Sequence, residues 1–201
     1  MAKLPIYGVL VRDLPTHRHF EIPGERVAEW VKGLPMRDAL GAPENDPAAG
    51  HGTTDLDLYA DGAHVFAAGP FRGEVTVACS RCIEPVRLPI DEKLRVTFMP
   101  RHELPSDESD AADAAAGGEE GEGAEVTDED LDLFPYDGDV VDLEPLFREQ
   151  FVLAVPFAPL CREDCKGLCP QCGIDRNTGT CSCEPPIDPR LAALKGLKLP
   201  P

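Results

Sequence analysis

The sequence predicts an α+β fold: an antiparallel β-sheet, a few helices packed on it, and a C-terminal cysteine-rich module. Three observations carry this. Apolar and polar residues alternate with period two across 54–99. One long stretch, 142–155, repeats its apolar residues at helical spacing. Six of the eight cysteines fall between Cys161 and Cys183.

The elements follow in chain order. Residues 3–12, KLPIYGVLVR, read as a first strand because Ile6, Tyr7, Val9, Leu10 and Val11 favour extended backbone. His17-Arg18-His19 reads as a polar turn with solvated histidines. Residues 25–34 fit a short helix, with Val27, Trp30, Val31 and Leu34 on one side and Gly33 and Pro35 at its end. Trp30 reads as a core anchor. Residues 41–52 are a loop by composition. From 54, Leu56, Leu58 and Ala60 alternate with Asp55, Asp57 and Tyr59, and Asp61-Gly62 signals a hairpin. After Gly69-Pro70, Val75, Val77 and Cys79 share a face; Val86, Leu88 and Ile90 follow, and a last strand covers 92–99. This is an antiparallel sheet of about five strands, with Cys79 and Cys82 at a hairpin tip.

The chain divides into a mainly β region, 1–102, an acidic insertion, 103–132, and a helix with a cysteine-rich metal module, 133–201. The insertion holds 13 acidic residues and no Lys or Arg. It buries too little apolar surface to offset its ordering entropy and reads as disordered. Beyond it, Asp142 is positioned to cap the best helix, and Leu143, Leu146, Phe147, Phe151, Ala154 and Val155 form its apolar stripe. Pro156 and Pro159 stop it. A further capped segment runs from Asp188 to Gly196.

The cysteines read as metal ligands. Cys79/Cys82 and Cys169/Cys172 are CxxC pairs, and Pro170 and Gly173 give the second pair the turn chemistry of a zinc knuckle. The economical partition joins Cys169, Cys172, Cys181 and Cys183 locally, leaving Cys79, Cys82, Cys161 and Cys165 for a second site. The tight Cys181-Ser-Cys183 spacing keeps the division open. Iron suits the same thiolates as zinc. Disulfides are disfavoured because the opening residues lack the apolar run of a secretory signal, and a thioredoxin-like CxxC lacks its βαβ setting.

Charge narrows the function. The net charge is −18, and the acidic insertion accounts for all but −5 of it. Such a field does not favour RNA or anionic membrane. No run of apolar residues is long enough for a transmembrane helix. Catalytic constellations are absent from the sequence pattern, and closed four-cysteine cages leave no position for substrate.

CxxC on a hairpin, an acidic stretch, DLEPLFREQFVLAVPFAPLC, CKGLCPQCG, CSC and IDPRLAALKGL occur in that order. Over 70–99 and 139–198 the chain resembles the YceD family of bacterial and plastid proteins, named for accumulation of large-subunit ribosomal RNA. The resemblance implies a cytoplasmic, non-catalytic factor in synthesis, processing or stability of 23S ribosomal RNA, with the eight cysteines as ligands of one or two structural zinc ions. Its implied partners are a 23S RNA precursor or a large-subunit ribosomal protein. Arg81, Arg87, Lys93 and Arg95 are the candidate RNA contacts on the knuckle and sheet. The competing expectation is an acidic protein-binding factor that escorts a basic ribosomal protein without touching RNA.

Overall fold

A computed structural model describes residues 4–43, 46–103 and 133–183. The acidic insertion from 104 and the capped segment 188–196 lie outside the described residues. In the described part, a five-stranded sheet is covered on one face by short helices. Its strands are β2 (Thr16–Ile22), β3 (Gly50–Asp61), β4 (His64–Ala78), β5 (Pro85–Pro100) and β6 (Leu133–Tyr136), in that spatial order. The pairs β2–β3, β3–β4 and β4–β5 are antiparallel; β6 adds to β5 in parallel. A separate two-stranded ladder joins β1 (Gly8–Leu10) to β7 (Val140–Asp142). The helices are α1 (Gly24–Trp30), α2 (Pro35–Asp38) and α3 (Glu144–Leu153).

The expected alternation in β3 holds as far as Leu58, while Ala60, near the hairpin turn, is exposed. Leu56 and Leu58 are buried, while Asp55, Asp57 and Tyr59 point outward. On the inner face, Phe71 of β4 meets Phe147 and Phe151 of α3 at ring distances of 5.9 and 5.6 Å. Trp30 closes on Phe151 at 5.9 Å and donates from Nε1 to Glu144 Oε1 at 3.1 Å. The tryptophan is therefore a core anchor that fastens α1 to α3. Asp142 accepts from the Glu144 N–H at 3.0 Å, satisfying one orphan donor at the start of α3.

Four expectations need correction. His17-Arg18-His19 is not a turn but the middle of β2, where His17 and His19 face outward and pair with Asp57 and Asp55, each at 2.8 Å. An edge strand with polar residues on both faces gives little alternation to read. The first strand is only Gly8–Leu10, and it pairs with β7 outside the main sheet. The loop 41–52 ends early: Pro47–Ala49 form a single 3-10 turn and β3 begins at Gly50. Finally, β4 and β5 are each one long strand, and β4 runs straight through Gly69-Pro70. The β3–β4 ladder pauses there, between Thr54↔Phe71 and Asp57↔Ala68. Pro70 thus owes no N–H to the sheet, and its carbonyl takes a hydrogen bond from Thr54 Oγ1 at 2.8 Å. Gly69 is required because a Cβ would lie 2.0 Å from the Asp55 carbonyl oxygen.

The far end of the β4–β5 hairpin carries Cys79 and Cys82. The chain leaving α3 arrives beside it, where the Ser80 N–H donates to the Pro159 carbonyl at 2.8 Å. The fold thereby brings the hairpin tip and the cysteine-rich segment together.

Candidate metal centre

The eight cysteines form two groups of four. Cys79, Cys82, Cys161 and Cys165 make the first, and Cys169, Cys172, Cys181 and Cys183 the second; in each group the four sulfurs lie within 4.8 Å of one another. This grouping follows the economical partition. In the first cluster Cys79 Sγ is 3.8 Å from Cys165 Sγ, and Cys82 Sγ is 3.6 Å from Cys161 Sγ. Metal–sulfur bonds of about 2.3 Å at tetrahedral angles place sulfurs about 3.8 Å apart. The residues present therefore fit a four-thiolate ion.

Both CxxC pairs share one backbone frame. The Cys79 N–H donates to the Glu84 carbonyl at 2.8 Å, and Ile83 N–H to Cys79 at 3.0 Å. The Cys169 N–H donates to the Ile174 carbonyl and Gly173 N–H to Cys169, each at 2.9 Å. The residue after each second cysteine has positive φ, 67° at Ile83 and 71° at Gly173. This turn aims amides at sulfur. Burial pushes the Cys79 thiol up, but backbone hydrogen bonds from Arg81, Cys161 and Cys82 outweigh it and bring it down to about 6. Backbone hydrogen bonds from Cys172 and Gln171 likewise bring Cys169 down to about 6. Cys82 is instead pushed up to about 12, chiefly by burial. Cys183 is pushed up to about 12 by the neighbouring Cys172 sulfur and then by burial. Four thiolates crowded together repel, and a divalent cation removes that repulsion.

The clusters differ in setting. Cys79, Cys82 and Cys165 are buried and packed against Val86, Leu160 and Leu168, with Cys161 exposed. In the second cluster only Cys169 is buried. Gly167 joins the two. It has φ 69°, and a Cβ there would lie 2.7 Å from the Arg81 carbonyl oxygen, which accepts the Leu168 N–H at 2.9 Å.

The four candidate RNA contacts separate. Arg81 sits at the first cluster and donates from its guanidinium to the Cys165 carbonyl at 2.8 Å. Arg87, Lys93 and Arg95 lie exposed on the outer face of β5, without an ion pair among the described residues. Sequence reasoning missed two neighbours on that face. Tyr59 and Phe66 are cross-strand partners whose rings stack at 5.0 Å and 14°. The signal was present, since Tyr59 alternates in phase with Asp55 and Asp57. Asn177, which contacts Cys165, was also missed; only its place in a polar Asp-Arg-Asn-Thr-Gly run pointed to a turn.

The profile of the family described as large ribosomal RNA subunit accumulation protein YceD matches residues 67–198. An uncharacterized protein of Mycobacterium tuberculosis is 34% identical over 142 residues, 70% of this chain and 59% of the relative. A chloroplastic maize protein, named large ribosomal RNA subunit accumulation protein YCED homolog 1, is 31% identical over 176 residues, 80% of this chain and 56% of the relative. The chain thus spans less than two thirds of these relatives' length. No solved structure matches. The cysteine tip of the β4–β5 hairpin, the α3 segment and the paired knuckles all fall within the matched residues, and the chain belongs to the YceD family.

Proposed function

We propose that this protein is a non-catalytic factor supporting the synthesis, processing or stability of 23S ribosomal RNA, with two structural zinc ions in its cysteine clusters. The name of the maize relative supports the ribosomal role. The observation that carries the zinc reading is the sulfur spacing of 3.8 and 3.6 Å, which suits a closed tetrahedral site with no position for substrate. Cys79, Cys82, Cys161 and Cys165 hold one ion; Cys169, Cys172, Cys181 and Cys183 hold the other. Zinc there supplies cross-linking, fixing the hairpin tip to the segment after α3.

RNA contact is assigned to the outer face of the sheet. Arg87, Lys93 and Arg95 supply unpaired cations, and the Tyr59–Phe66 stack supplies aromatic surface at the Arg95 end of that row, with Arg87 at the far end near the hairpin tip. Cations that track phosphates next to exposed rings are the usual equipment for single-stranded RNA. Arg81 braces the first cluster and contributes charge at the hairpin tip. The test is binding to a 23S RNA fragment across a salt series. Reversing Lys93 and Arg95 to Glu should weaken binding and lower the salt slope by about one for each phosphate no longer neutralised. Unchanged affinity and slope would remove RNA from this face. Binding of a basic ribosomal protein without RNA affinity would favour the escort reading.

A further inference from the structure

We propose that Asn177 couples the two cysteine clusters. Carried by the loop of the second cluster, it holds a sulfur of the first, so that an ion in one site strengthens the hold on an ion in the other. This rests on the metal reading above and adds a residue outside the eight cysteines to it.

Asn177 lies between the ligand pairs of the second cluster, after Cys172 and before Cys181. Its side chain nevertheless reaches the first. Nδ2 donates to Cys165 Sγ at 3.5 Å and to Asp175 Oδ1 at 2.7 Å, while Oδ1 accepts the Lys166 N–H at 2.8 Å. These partners fix the orientation of the amide. A flipped amide would set its NH₂ against the Lys166 N–H and its oxygen against a thiolate and a carboxylate. The loop is anchored further by the Arg176 N–H on the Gly167 carbonyl at 3.0 Å, and by the bridge between Leu168 and Asp175. These anchors fall on 165–168, the link between the clusters.

The coupling follows from loop closure. An ion joining Cys172 to Cys181 ties the ends of 173–180 together and removes much of that loop's freedom. Asn177 is then held where its N–H faces Cys165. A hydrogen bond to a metal-bound thiolate orients the sulfur and draws off part of the surplus negative charge of a four-thiolate site. Removing such an outer hydrogen bond typically weakens metal binding about 10- to 100-fold. Linkage makes the effect reciprocal: the ion of the first cluster fixes Cys165 and Lys166, and so favours the closed loop.

The test uses the full chain with cadmium in place of zinc, read by cadmium NMR and by release of each ion to a chelator. Two resonances are expected, assigned through coupling to the Cys79 and Cys169 β-protons. Asn177→Ala should shift the first-cluster resonance and speed release of that ion about tenfold or more. Asn177→Asp keeps an oxygen for the Lys166 N–H but puts a charged oxygen where Nδ2 met Cys165 Sγ and Asp175 Oδ1, so it should shift the same resonance and speed release of that ion at least as much as Asn177→Ala. Cys183→Ser, which weakens the second site directly, should also hasten loss of the first ion. Two bound ions with the first-cluster resonance and release unchanged in both Asn177 variants would overturn the coupling. A chain that takes up no cadmium would overturn the metal reading itself.

Discussion

Arg37 places a guanidinium in the interior at 5% exposure, where it meets Asp46 Oδ2 at 2.7 Å and the Thr76 carbonyl at 3.4 Å. The hydrogen bond from Arg37, then that from the Ala48 N–H, holds the Asp46 carboxyl below its ordinary range. A depressed carboxyl stabilises the fold above its unfolded pKa, and this contribution fades as pH falls through the folded value. Asp46→Ala should therefore cost about 2 kcal/mol near neutral pH, because it strands a buried cation. The gap from wild type should narrow below about pH 4. Urea unfolding of both proteins at two pH values measures it. The pair was illegible in the sequence, since Asp46 sits in a stretch whose Gly and Pro content reads as loop. The two knuckles make the same point. Gly173 advertises its positive φ, whereas Ile83 holds an equivalent angle with a β-branched side chain, which no sequence rule anticipates.

At the scale of elements, α3 and the inward halves of β3, β4 and β5 were readable because burial imposes a period. The order of the sheet was less so. β2 mixes Thr16 and Arg18 with Phe20 and Ile22 on its inner face, Gly69-Pro70 imitates a turn inside β4, and β6 joins in parallel from beyond the acidic insertion, a pairing that local pattern cannot encode. The cysteine partition was legible through loop length alone, whereas the docking of one cluster on the other was not, because it depends on backbone approach at Gly167. Gly167→Ala should force that approach apart. With a Cβ 2.7 Å from the Arg81 carbonyl and positive φ, about 2 kcal/mol is expected. Hydrogen exchange at the Leu168 amide, bonded to that carbonyl, should quicken about tenfold or more. Unchanged protection would show that the link docks by other means.

For the molecule as a whole, the aromatic core and the cysteine module are separate clusters. Trp30, the only tryptophan, packs against Tyr7 and Phe151 in a cluster distinct from that of Cys79, Cys82 and Cys165. Chelation should thus release the segment after Pro159 to proteolysis while leaving the Trp30 fluorescence maximum in place. A red shift on chelation would mean that the metal module supports the core. The outer face is divided in the same spirit. Asp55 and Asp57 occupy β3 with their histidine partners, and Lys93 and Arg95 occupy β5, so a modest cationic strip persists on a strongly acidic chain. No helix among the described residues is long and apolar enough to cross a membrane. All of this turns on whether two ions organise the cysteines. The most direct measurement is the metal content of untagged protein purified under reducing conditions. Two zinc ions per chain and no titratable thiol in the native state are expected. A single ion, or none with the thiols free, would contradict the two-zinc reading.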